Sequence, residues 1–283
     1  MTNPPILRQI ASLWTLWDHP TPKKTWTLER QIAEIKAAGF DGFTTHADAT
    51  HAKLAEKHGL LIVGHFAAAK ATEFRPLIQQ NVDAGAVYIN VQLGKHDTSV
   101  PAAIKLAVQL NEIAEKLGAK CSIESHRNTC TETPEKTQAV AAGYKKATGK
   151  LLPITWDFSH PAVVKHLDPP YEERLLVAPK LIQNAQQFHF RPFNGHHCQI
   201  PVTDGRGKLS VEFTQWVPLL EKTLEMWMAG KQAGRELFAV PELGPVRGGY
   251  NLAQLPASWE DAKVLREIIA KTWKKTLSAP SRK

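Results

Sequence analysis

Cysteine is scarce in this chain, at 3 of 283 residues. Cys121, Cys130 and Cys198 form neither an even framework nor a C-x-x-C pair, which excludes a disulfide scaffold and a thiolate-bound structural zinc and leaves free thiols. Long apolar runs are also missing. None reaches the length of a bilayer span, and the N-terminus has no basic stretch followed by an apolar run and a small-residue cleavage site, so a soluble, cytoplasmic protein without a membrane partner is expected. No G-x-G-x-x-G or G-x-x-x-x-G-K fingerprint occurs, and Gly205 to Gly207 within D-G-R-G-K reads as a turn. A nucleotide cofactor therefore has no visible seat. The formal net charge is +8, but the lysines are scattered over helices and gathered in a short basic C-terminal tail from about residue 275. No basic stripe is interleaved with aromatics, which argues against nucleic acid as the partner.

What is present is a regular alternation. The hydrophobic fraction of 43% supports one large core. Strand-like runs are expected at residues 10–17, 42–46, 60–66, 86–93, 119–124, 154–157, 187–191 and 236–242, on period-two apolar patterning or short β-branched runs. Helical spacing fills the intervals. Thr27 caps the first helix ahead of Leu28, Ile32 and Ile35, further helices are expected at 49–58, 71–84, 101–117, from Pro134, at 171–185 and 211–229, and an amphipathic segment at 259–273 closes the chain. Eight strands alternating with eight helices, with no linker or composition break, predict one domain over residues 1–283, an α/β protein built as a single (β/α)8 TIM barrel.

In such a barrel the C-terminal strand ends converge on one mouth. Glu124, Asp157, His189 and Glu242 hold that position on the fifth to eighth strands. Three carboxylates and one imidazole make an oxygen-rich set for one divalent cation, with Mn2+ preferred and Mg2+ or Co2+ as alternatives. His65 ends the third strand and is a candidate pocket residue. His126, Arg127 and Arg191 follow the candidate ligands closely and suit a substrate carboxylate, phosphate or hydroxyl. His196 and His197 lie in the long loop after the seventh strand, where either is an alternative to His189 as ligand, and His197 is a candidate substrate contact. Trp14, Trp17, Phe66, Trp156 and Phe158 fall at or near strand ends, where they serve either ligand stacking or barrel packing.

The segments I-E-S-H-R at 123–127, W-D-F-S-H at 156–160, F-H-F-R at 188–191 and P-E-L-G at 241–244 resemble the xylose isomerase-like TIM-barrel superfamily over nearly the whole chain, from Leu13 to about Trp273. That resemblance implies a metal held by Glu124, Asp157, His189 and Glu242, a substrate contact from His160, a small carbohydrate substrate, and a possible homo-oligomer. The implied reaction is isomerisation or epimerisation of a small ketose, keto-sugar or sugar acid through an enediolate, with Glu124 and Glu242 as the proton-transferring pair. A lyase or dehydratase acting on a keto-sugar, keto-glycoside or cyclitol starts with the same proton abstraction and is the alternative. An apurinic-site endonuclease fits less well: the fourth strand offers Asn90 and Gln92 in place of histidine, and Asp204 is followed by Gly205 and Arg206. A non-catalytic binding barrel would require a decayed ligand set, and all four ligand types are present.

Overall fold

The structure, a computed structural model, describes residues 3–230 and 232–279. Eight parallel strands, β1 (Ile6–Ser12), β2 (Gly42–Thr45), β3 (Leu61–Ala68), β4 (Tyr88–Leu93), β5 (Cys121–Glu124), β6 (Ile154–Asp157), β7 (Gln187–His189) and β8 (Glu236–Val240), form a closed barrel in sequence order. Closure is made by β8 against β1, with Ile6 level with Glu236 and Gln9 level with Ala239. The protein is a (β/α)8 barrel, as the alternation predicts.

Helix boundaries follow local chemistry. The Thr27 hydroxyl accepts the Arg30 amide at 3.3 Å to start Leu28–Ala37, and Asp48 accepts the amides of Thr50 and His51 to start Ala49–His58. Ser99, Thr133 and Ser210 cap Val100–Lys116, Pro134–Thr148 and Val211–Met228 in the same way. The final helix, Ser258–Ser278, absorbs residues 275–278 of the expected basic tail, and residues 280–283 lie outside the described part. Among the described residues no helix is long and apolar enough to cross a membrane.

Two expectations are corrected. The first strand is Ile6–Ser12 and not 10–17; Leu13–Leu16 is a 3-10 turn. Pairing decides this, because Ile6–Gln9 has a partner in β8 and Ile10–Ser12 has one in β2, while the apolar L-W-T-L run is accounted for by burial of Leu13 and Leu16 against the helices. The expected helix at 171–185 is instead two short helices, Glu172–Leu175 and Pro179–Asn184, preceded by a further one at Ser159–Val164. Pro179 has no amide hydrogen to donate and so begins a helix more readily than it continues one.

The large core lies between the barrel wall and the helices, where Ile32, Ile78, Leu110, Leu224, Leu265 and Ile269 are fully buried. A separate cluster of Ile10, Val63, Tyr88, Phe238 and Val240 fills the barrel interior. Polar side chains also occupy buried strand positions: the hydroxyls of Ser122 and Thr155 are bonded to each other, and Thr155 reaches Gln187 at 3.4 Å. Two residues further along these strands stand Glu124, Asp157 and His189. The period of two in a strand keeps each pair on one face.

Candidate metal centre

Glu124, Asp157, His189 and Glu242 each place one ligand atom within 4.8 Å of the others. The first three close β5, β6 and β7, and Glu242 follows Pro241 just beyond β8. Register explains the convergence: Glu124 is level with Thr155, and Asp157 and Val240 are both level with His189. His189 Nδ1 lies 3.0 Å from Glu124 Oε1 and 2.8 Å from Glu242 Oε2. Neither contact is aligned as a hydrogen bond; Nδ1, Glu242 Oε2 and Asp157 Oδ2 are all buried without a hydrogen-bond partner. Buried polar atoms normally find partners. Three orphans around one point, from hard oxygen and imidazole donors, fit a divalent cation of the Mg2+ or Mn2+ class.

Each ligand is held from behind. Asn90 and Gln92 donate to Glu124 Oε2 at 2.8 and 3.1 Å. The Ser159 amide and hydroxyl donate to Asp157 Oδ1 at 2.9 and 2.6 Å, which leaves only Oδ2 free. The Gln187 amide sits 3.0 Å from His189 Nε2. A side-chain amide presents oxygen or nitrogen with the same shape, so Gln187 can accept from Nε2–H and leave the Nδ1 lone pair facing the carboxylates. Sequence reading did not assign Gln187 a role, although its spacing of two from His189 on a strand puts both on the same face.

The electrostatics are those of packed opposite charges. Burial opposes ionisation of Glu242, but Arg191 at 2.9 Å and His189 overcome it and hold its pKa down at about 2. Burial also opposes ionisation of Glu124, and the charge of His189 beside it holds it well below the ordinary carboxylate range. For His189 burial favours the neutral ring, yet Glu242 and Glu124 raise its pKa well above the usual value. Asp157 shifts upward because burial outweighs the attraction of Arg191, 3.5 Å away. His160 is pushed well below its usual value by burial, with His126 and Arg191 adding to the effect, so its ring is neutral.

A cavity of about 320 Å³ opens over this cluster, lined by Trp14, Trp17, His46 and Tyr250 as well as ligand residues. His65, His126 and Arg191 also line it; burial lowers the pKa of His65 to about 4. His160 is buried beneath, 3.4 Å from Arg191. Arg127 is set behind Tyr250, with Nη2 bonded to the tyrosine hydroxyl. His196 and His197 are exposed, and His197 Nδ1 lies 3.2 Å from Asn194 Oδ1; the imidazole beside the three carboxylates is that of His189. Phe66, Trp156 and Phe158 are buried in the core, so that of the five aromatics expected near strand ends only Trp14 and Trp17 line the cavity. Tyr250, in the G-P-V-R-G-G-Y-N loop, packs edge-on against Trp14 with centroids 4.5 Å apart; nothing in its sequence neighbourhood marks it out.

No family model matches this sequence, and no protein of curated function does. Solved structures do. A D-tagatose 3-epimerase-like protein matches with a TM-score of 0.58 at 16% identity, covering 97% of this chain and 99% of the other. A xylose isomerase-like TIM barrel protein from Mycobacterium smegmatis, in complex with magnesium, matches with a TM-score of 0.59 at 13% identity over 96% of this chain and all of its own. D-allulose 3-epimerase from Methylomonas sp., in complex with D-allulose, matches with a TM-score of 0.57 at 12% identity over 98% and 99% of the two chains. At these identities the likeness concerns the barrel, and the argument for chemistry rests on the residues at its mouth.

Proposed function

We propose that the protein is a divalent-metal-dependent sugar isomerase or epimerase, acting on a small ketose, keto-sugar or sugar acid by enediolate chemistry. The observation that carries this reading is the set of mutually orphaned ligand atoms of Asp157, His189 and Glu242, with Glu124 beside them, at the C-terminal mouth of the barrel. Glu124, Asp157, His189 and Glu242 hold the cation, with Mn2+ preferred over Mg2+ or Co2+. When bound, such an ion polarises the substrate carbonyl and stabilises the charge that develops on proton removal.

This chain's own residues supply the rest. Glu124 and Glu242 are ionised at neutral pH and approach the same Nδ1 of His189, so one carboxylate removes the proton next to the carbonyl and the other returns it. The neutral His160 ring and the Arg191 guanidinium receive substrate oxygens. Trp14 and Tyr250 line the cavity with packed ring surface and limit the water that reaches the reacting carbon. The epimerase structures that share this fold, one holding D-allulose, support the carbohydrate assignment, and the magnesium complex of another supports the cation.

The test is metal content by mass spectrometry, combined with deuterium uptake from heavy water into a panel of ketoses, keto-sugars and sugar acids. About one divalent ion per chain is expected, fewer in Asp157→Asn, with metal-dependent exchange at the carbon next to the carbonyl that disappears in Glu124→Gln. Absence of ion binding after reconstitution with Mn2+, Mg2+ and Co2+ in turn overturns the proposal.

A further inference from the structure

Three arginines stand around the mouth. Arg247 is paired with Asp18 at 3.3 Å, and Arg191 with Glu242 at 2.9 Å. Arg127 differs: among the described residues no carboxylate lies within ion-pair distance of it. Its Nη2 is bonded to the neutral Tyr250 hydroxyl, its Nη1 is 4.0 Å from Cys198 Sγ, and its guanidinium carbon is 5.0 Å from the Tyr250 ring centroid. None of these contacts cancels its charge. A part-buried guanidinium spends its five donors best on a carboxylate or phosphate.

Charge counting at the site makes the excess specific. With a divalent cation bound, the three carboxylates Glu124, Asp157 and Glu242 are balanced by that ion together with Arg191. Arg127 is then left over. The Arg191 guanidinium also lies 5.4 Å from the Tyr250 ring, so two guanidinium groups flank the one tyrosine that lines the cavity. Arg191 Nε, moreover, is buried without a hydrogen-bond partner. A competing occupant has to be weighed, because Glu124, His126 and His160 also bring ligand atoms within 4.8 Å of one another. A second cation there would sit beside two permanent positive charges; an anion would be attracted by both.

We infer that the substrate is an anionic sugar derivative, carrying a carboxylate or a phosphate that is received at the rim by the Tyr250 hydroxyl and attracted by the Arg127 guanidinium bonded to it, while its carbonyl end faces the ligand cluster. This deepens the sugar isomerase reading and rests on it for the nature of the carbon skeleton. Arg127 is thereby a specificity determinant, and neutral ketoses are poor ligands.

The experiment compares binding of D-glucitol, D-gluconate and D-glucitol 6-phosphate to the Mg2+-loaded protein by calorimetry, in wild type, Arg127→Gln and Arg127→Lys, with a separate Mg2+ titration of each. At least one anion should bind wild type about tenfold or more tighter than D-glucitol, the scale of a charge-assisted hydrogen bond. Which anion is preferred distinguishes carboxylate from phosphate. Arg127→Gln should bring the preference to within about twofold with Mg2+ affinity unchanged, and Arg127→Lys should keep part of it. Equal binding of all three ligands, no binding of any, or an anion preference untouched in Arg127→Gln overturns the inference. A protein that prefers the anion but binds no Mg2+ would instead sink the metal-dependent reading and leave Arg127 standing.

Discussion

Replacing Glu242 by glutamine removes a charge while keeping the shape, and its consequence can be worked out for the metal-free protein. In the fold this carboxylate is ion-paired with the Arg191 guanidinium at 2.9 Å and lies 2.8 Å from His189 Nδ1. Its pKa falls from 4.5 to about 2, which corresponds to about 3 kcal/mol in favour of the ionised form. Because the folded value is depressed, that stability is present above the unfolded pKa of 4.5 and is lost as the pH falls toward 2. Glu242→Gln should therefore unfold in urea, with EDTA present at pH 7, at a free energy lower by about 3 kcal/mol, within the range for breaking a buried pair. The variant should also lack that part of the wild-type acid destabilisation between pH 4.5 and 2. Tryptophan fluorescence across a urea series at several pH values reads both effects. Added Mg2+ should widen the gap, since only wild type keeps the full ligand set and gains stability by mass action. Equal stability of the two proteins in EDTA at pH 7, or parallel acid profiles, would refute the claim that Arg191 and His189 hold this carboxylate as described.

Two further outcomes are expected. Gln187→Leu keeps the volume but strips His189 Nε2 of its partner at 3.0 Å; Mn2+ affinity measured by calorimetry should drop about 10- to 100-fold with the circular dichroism spectrum unchanged, and a change under twofold removes Gln187 from the centre. Gly42→Ala puts a Cβ 2.3 Å from the Leu61 carbonyl oxygen, a backbone atom that cannot swing aside. The urea midpoint should shift by the equivalent of about 1–3 kcal/mol, and an unshifted midpoint would mean that β2 and β3 are not packed as closely as the register indicates.

The barrel was legible because its signal is periodic and local. Short β-prone runs and helical spacing repeat eight times, and neither depends on distant residues. The reading slipped where a distant partner or a backbone constraint decides. L-W-T-L at 13–16 has the composition of a strand, yet β2 pairs only as far as Ser12, and the chain turns there to bring Trp14 over the cavity. At 171–185 the apolar spacing continued through Pro179, where the helix does not.

The chemical inventory of the mouth is a property of the sequence. A carboxylate, a carboxylate, an imidazole and a carboxylate stand at successive strand ends because each belongs to its own short strand. Tertiary structure decided what that inventory is connected to. Asn90 and Gln92 reach Glu124 across the β4–β5 pairing, Ser159 leaves one Asp157 oxygen free, and Arg191 turns inward to Glu242. Tyr250 arrives from a loop 123 residues beyond Arg127 to line the cavity and bond that guanidinium through its hydroxyl. Those connections fix protonation states and leave one guanidinium without a counter-charge. They depend on ångström-scale distances between segments far apart in the chain, which the order of residues alone does not encode in readable form.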